Sequence, residues 1–253
     1  MRFWRESNNA TPLFTDSEVL TIALMQPVLE VATLKQTYRL IADNCLDCFP
    51  FLPTYKQWLA RFNALNDQLS ALLAAACGFW HEDSADEQVF LIDSFPILLC
   101  QPVRHGFVRL LRDQSAYWGK SSKGWFFGFK VHALQHAGGR VVNLIFTPAN
   151  VEDRAAAHYF TENLPSGAIV IGDLGYRGAE FQTEIAQENV VLMLTRDVVP
   201  KAHKHLLGLL RQAVERMFSQ WWRKFTSRVF SRSWRGLWQT IQMKVLYYNN
   251  SSC

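Results

Sequence analysis

Long apolar runs are missing from this sequence. The densest stretch, Ala71 to Trp80, is about half the roughly 18–20 residues that a bilayer-spanning helix needs. Met1 to Asn9 is polar and lacks the apolar core of a secretory signal. A cytoplasmic protein with no membrane partner is therefore expected. Cysteine is scarce and scattered: Cys45, Cys48, Cys77, Cys100 and Cys253 make an odd set, which excludes a secreted disulfide framework. Cys45 and Cys48 form a C-x-x-C, but no second pair of cysteines or histidines follows at zinc-site spacing, so the plain reading is two cysteines near a helix end. There is no G-x-S-x-G and no Cys–His arrangement of nucleophilic type, so chemistry through a covalent protein intermediate is not indicated. Internal repeats and low-complexity tracts are also missing.

Acids are scarce in one region only. Residues 1–195 carry 15 Lys+Arg against 20 Asp+Glu, and residues 196–253 carry 11 against 2. The net +4 of the chain is thus the remainder of about −5 and +9. A basic C-terminal fifth on an otherwise acidic chain fits a polyanion partner, and equally a solvated basic surface.

What is present is ordinary for a globular protein: 253 residues, 49% hydrophobic and 19% charged, enough for one large domain or two smaller ones. The first 80 residues read as helical. Thr15 or Asp16 can cap a helix, with Glu18 three residues after Thr15 as a capping box requires, and the helix runs to about Pro27. Val28 to Asn44, Tyr55 to Phe62 and Leu65 to Cys77 read as further helices, and His81 to Glu87 as a polar connector. The pattern then changes. Gln88 to Asp93 is a short apolar run ending in an acid, as in a buried strand. Trp125 to Leu134 and Arg140 to Thr147 flank Gly138-Gly139 as a hairpin. Val151 to Asn163 is helical, Ala168 to Asp173 a second buried strand ending in an acid, Arg177 to Gln187 helical, Val190 to Leu194 a strand, and Leu206 to about Phe225 helical. A mixed α/β sheet follows, meandering first and then crossing over through helices. The division expected is a helical N-terminal domain over 1–82, an α/β domain over 83–225 and a basic segment over 226–253.

Asp93 and Asp173 end the two buried strands. Strand ends are where α/β sheets present reactive groups, and two carboxylates brought close there repel until a proton or a cation settles between them. An Asp in such a place also serves as a turn former or a helix cap. Gly172 and Gly175 beside Asp173 permit close approach of other groups. A third acid is sought on a helix crossing those strand ends. The basic segment offers Asp197, at a strand end, and Glu215 inside R211-Q-A-V-E215-R. Arg211 and Glu215 stand i, i+4 on one helix face, which suits either a surface ion pair or a metal ligand steered by a cation that also touches phosphate.

Taken in order, V-F-L-I-D93-S, W125-F-F-G-F-K130-V-H132-A-L, T147-P-A-N-V-E-D153-R, I171-G-D173-L-G-Y176-R-G and R211-x3-E215-R-x-F-S resemble the bacterial insertion-sequence transposases with a DDE catalytic domain. The resemblance spans about Gln88 to Ser219. It implies a ribonuclease-H-like fold, a metal-binding triad of Asp93, Asp173 and Glu215, and Mg²⁺ or Mn²⁺ as cofactor. It also implies cleavage and strand transfer at the terminal inverted repeats of a mobile element, with target DNA as second substrate, and a homodimer or higher assembly bridging DNA ends, nucleoid-associated when bound. Lys130 and His132 share a strand face that points either toward DNA and the metal or, on an edge strand, to solvent. Tyr176 and Arg177 suit phosphate contact or helix-start packing, and Asp153 reads as the cap of its helix. Arg223, Lys224, Arg228 and Arg232, among aromatic residues, suit a DNA-contacting helix. Relatives carry a Tyr before the last motif's Arg and a Lys about two turns after its Glu. Here those places hold Gly208 and Trp222, with Lys224 nearby, a departure that bears on activity. Two other readings share these residues: a catalytically inactive DNA-binding relative that represses its own element, and a ribonuclease-H-like nuclease without transposition.

Overall fold

The computed structural model describes residues 12–78, 88–100, 111, 116–121, 124–162, 164–194, 205, 208–209, 212, 231 and 233–251. These fall into two compact units, one formed by residues 1–75 with 230–251 and the other by 76–229.

The first unit is helical: α1 (Asp16–Val28), α2 (Leu34–Asn44), α3 (Tyr55–Ala64), α4 (Asn66–Gly78) and α7 (Trp234–Ser251). The capping box at α1 forms as expected, with the Glu18 N–H donating to Thr15 Oγ1 and Glu18 reaching back to the Thr15 N–H. Thr33 with Gln36 repeats it at α2. At α3 the Gln57 Oε1 accepts from the Thr54 N–H. Each satisfies backbone donors that a helix start leaves without partners. Pro27 lies inside α1, not beyond it. The stop comes from Glu30, whose φ of 53° is the left-handed geometry of a helix end. That turn also breaks the continuous helix expected from Val28, and α2 begins only after Thr33. Cys45 caps the end of α2, and Cys45 and Cys48 are both free thiols.

The core of this unit centres on Trp58, stacked on Phe62 at 5.8 Å with rings 6° from parallel, with Ile22, Leu65 and Leu69 also fully buried. Arg61 donates to the Phe14 carbonyl at 2.5 Å and to Asp16 Oδ1 at 2.7 Å. The helix α7 was not anticipated. It buries Leu237, Ile241, Val245 and Leu246, and its Gln239 donates to the Phe62 carbonyl.

The second unit is a six-stranded mixed sheet of β1 (Val89–Cys100), β2 (Tyr117–Ser121), β3 (Gly124–His136), β4 (Val141–Pro148), β5 (Ile169–Gly172) and β6 (Val191–Leu194), with helices α5 (Asp153–Thr161) and α6 (Ala179–Gln187). The order is β2-β3-β1-β5-β6, with β4 also on β3. β3 is antiparallel to β1, β2 and β4, while β1, β5 and β6 run parallel. Phe90 and Ile92 of β1, Leu134 of β3 and Val170 of β5 pack with Ala157 and Phe160 of α5 and with Tyr176, Phe181 and Ile185. An antiparallel meander followed by parallel strands joined through helices is the ribonuclease-H-like fold, here accompanied by a helical N-terminal segment.

Two strand expectations change. β1 does not end at Asp93 but runs to Cys100, pairing with β3 from Phe90 to Cys100 with an irregularity between Leu98 and Cys100. Its pairing with β5 ends at Leu91, so Pro96, which has no N–H, removes no bond from that parallel ladder. β2 was not foreseen. It pairs with the first residues of β3, and β4 with the rest.

Candidate active site

Register sets the site. Leu91 of β1 pairs with Ile171 of β5, so Asp93 and Asp173, each two residues further on, stand level where the parallel ladder stops. Asp173 Oδ1 accepts the Gly175 N–H at 2.7 Å and caps the single 3₁₀ turn Leu174–Tyr176. Asp93 Oδ1 accepts the Ser94 N–H at 2.7 Å. Burial pushes the Asp93 carboxyl up to about 8, helped by the charges of Asp173 and Asp153 and opposed by the Ser94 hydrogen bond. Without a cation, this carboxyl keeps its proton at neutral pH.

Asp153 belongs to the same cluster. It is not the helix cap: Glu152 holds that position, without a side-chain bond. Asp153 Oδ1 instead accepts from Ser94 Oγ at 2.8 Å and from Lys130 Nζ at 3.1 Å, with His132 Nδ1 at 3.6 Å. The pairing explains the convergence. Ser94 lies opposite His132, and Pro96 opposite Lys130, so these side chains share one face of the sheet.

Lys130 and His132 do share a strand face, as their spacing requires, but β3 is an interior strand. Lys130 is nearly covered and donates also to the Val151 carbonyl at 2.9 Å. His132 has no exposed surface, so it presents nothing to DNA in this structure; its Nε2 meets Thr147 Oγ1 at 2.8 Å. Burial lowers its pKa to about 4, with the Lys130 charge acting the same way and Asp153 opposing; the ring is neutral at pH 7. Tyr176 likewise lies in the core rather than on the surface. Its hydroxyl is buried with no hydrogen-bond partner. Burial, then the charges of Asp93, Asp153 and Asp173, push the phenol well above its ordinary value. Arg177 is exposed. Glu215, Arg211, Arg223, Lys224, Arg228 and Arg232 lie outside the described residues.

Among the described residues no group of three His, Cys, Asp or Glu is placed to hold a metal ion. Asp93 and Asp173, close enough for the charge of one to act on the other, offer carboxylate oxygens of the kind hard divalent cations prefer. Sequence reasoning missed Ser94 and the role of Asp153, although N-V-E-D153-R stood among the quoted motifs. Their signal is pairing between strands, which spacing along the chain does not carry.

The family profile described as "Transposase DDE domain" matches residues 83–220. No curated protein matches the chain. Two solved structures resemble it at a level that bears on nothing further. "Mos1 transposase paired-end complex with left transposon end" is 11% identical over 97% of this chain and 81% of that one, with a TM-score of 0.28. "Crystal structure of a pre-cleavage Mos1 transpososome" is 10% identical over 98% and 81%, with a TM-score of 0.26. The profile spans more than half of the sequence and contains every acid of the site, and the chain belongs to the DDE transposase family.

Proposed function

We propose that this protein is a transposase of the bacterial insertion-sequence type, cleaving DNA at the ends of its element and transferring the strands, with Asp93, Asp173 and Glu215 holding Mg²⁺ or Mn²⁺. The observation that carries the reading is the level placement of Asp93 and Asp173 on adjacent parallel strands, where burial and neighbouring acids leave the Asp93 carboxyl protonated. A divalent cation bound there would activate the attacking oxygen and stabilise the leaving one in an in-line displacement at phosphorus. The chain's own part is to hold carboxylate oxygens level at the sheet end, to neutralise Asp153 with Lys130, and to keep His132 uncharged. The basic segment after Arg196 supplies phosphate contacts, the N-terminal helices recognise the element's ends, and two or more copies bridge those ends and the target DNA.

The test is cleavage of DNA carrying the flanking inverted repeats in Mg²⁺ or Mn²⁺. Cuts at the repeat boundary that vanish in Asp93→Ala and Glu215→Ala are expected. Binding without cleavage would identify an inactive repressor, and cuts at random positions a simple nuclease. The affinity for DNA should fall steeply with salt. Replacing Arg223, Lys224, Arg228 and Arg232 with Ala should flatten that slope, and an unchanged slope would remove the basic segment from the interface.

A further inference from the structure

Asp153 has no part in the proposed triad, yet it is the most heavily engaged acid of the cluster. A first-turn carboxylate serving only the helix dipole would face free N–H groups or water. Asp153 Oδ1 instead gathers Ser94 Oγ of β1 and Lys130 Nζ of β3, with His132 Nδ1 close by. Lys130 binds the Val151 carbonyl as well, tying the approach to α5 onto β3, and Thr147 of β4 steadies the far side of the His132 ring. Two strands, β1 and β3, thus meet on one oxygen. The other oxygen, Oδ2, lies 3.3 Å from where a Cβ on Gly175 would sit, and Asp173 Oδ1 lies 2.9 Å from the same point. Asp153 therefore touches the residue next to Asp93 through one oxygen and neighbours Asp173 through the other.

We propose that Asp153 is a positioning residue for the cation-binding pair, locking Ser94, whose N–H holds Asp93, and setting the approach of Asp173 across Gly175; this rests on the reading of Asp93 and Asp173 as cation ligands. Two carboxylates awaiting a shared cation repel each other. Left loose, they would have to be ordered when the cation arrives, at the expense of affinity. The chain from Asp153 through Ser94 to Asp93 orders one of them beforehand, as outer partners of metal ligands do. Lys130 places its ammonium against Asp153 at 3.1 Å, among the neighbouring acids. An Asn at 153 keeps an oxygen in place but removes the negative charge to which both Ser94 Oγ and Lys130 Nζ donate, so the lock on Ser94 is weakened along with the ion pair.

The experiment measures Mn²⁺ binding to the full chain by electron paramagnetic resonance, alongside Mn²⁺-dependent nicking of supercoiled plasmid and a melting curve. Asp173→Ala defines the signal belonging to the site. In Asp153→Asn, half-saturation should need about ten times more Mn²⁺ or beyond, while nicking at saturating Mn²⁺ returns to within a few fold of wild type. Asp153→Glu should recover part of the affinity. Ser94→Ala should shift in the same direction, and the double variant should be no worse than Asp153→Asn. If Asp153→Asn does not fold, the Ser94→Ala shift decides. A folded Asp153→Asn with unchanged half-saturation, full additivity with Ser94→Ala, or an unshifted Ser94→Ala overturns the proposal alone. A wild type with no Mn²⁺ signal removable by Asp173→Ala overturns the cation reading and this proposal with it.

Discussion

The helical unit and the α/β unit treat their acids differently. In the first, Asp16 is covered but paired with Arg61 at 2.7 Å, and the threonines that start α1, α2 and α3 sit in reciprocal hydrogen bonds with residues three positions on. Charge and backbone donors are balanced within the unit. In the second, Asp93, Asp153 and Asp173 stand near one another, with Lys130 paired to Asp153 and His132 neutral. One region is built for stability. The other holds repulsion that a fold with no further task would have no reason to keep.

That contrast is open to direct attack. Asp173→Ala should reduce DNA cleavage by about a thousandfold or more, the several kcal/mol that cation ligation contributes to such reactions, and change the melting temperature little, because loss of the cap on the 3₁₀ turn offsets the charge removed from among the acids. Trp58→Ala in the helical unit should do the opposite in kind, lowering stability by about 3–5 kcal/mol through the cavity left beside Phe62. Equal destabilisation by the two variants would erase the distinction between the regions.

A second, smaller effect concerns pH. The Asp93 carboxyl, raised to about 8 in the fold, contributes stability that is complete below its ordinary value near 4 and is lost as pH rises through 8. His132, lowered to about 4, acts in the reverse sense: its neutral burial costs stability as pH falls from about 6.5 toward 4. Between about pH 6.5 and 8 the Asp93 contribution stands alone. Over that range the melting temperature of metal-free protein should fall. Asp93→Asn should flatten the slope, and added Mn²⁺ should reverse it by replacing the proton. A flat wild-type profile would mean that Asp93 titrates as an ordinary carboxylate.

The smallest predicted change is at Gly175. A Cβ there would press on Asp173 Oδ1 at 2.9 Å and Asp153 Oδ2 at 3.3 Å. Gly175→Ala should therefore weaken Mn²⁺ binding several-fold without lowering the melting temperature. Unchanged binding would show that the two carboxylates are free to part.

Much of the α/β architecture was legible because buried strands announce themselves. V-F-L-I-D93 and I-V-I-G-D173 are apolar runs that end in an acid, and the chain order of strands and helices leaves few topologies. The level placement of the two acids was not legible, since register depends on which residues pair across β1 and β5. β2 was hidden by Gly119, which is small because Ala149 packs where its side chain would be. α7 was hidden because Gln239, Gln242 and Asn249 are buried among its apolar residues, breaking the pattern by which a helix face is recognised. Lys130 and His132 were seen as a pair on one face, but only the packing of α5 and the residues leading into it over that face turns it inward.

The central claim is that Asp93, Asp173 and Glu215 share divalent cations at the end of the sheet. Anomalous diffraction from crystals grown with Mn²⁺ and DNA of the element's ends tests it most directly. The account predicts a Mn²⁺ peak with oxygens of all three carboxylates at about 2 Å. Mn²⁺ bound elsewhere, or at the Asp93–Asp173 pair with Glu215 turned away from it, would contradict the account.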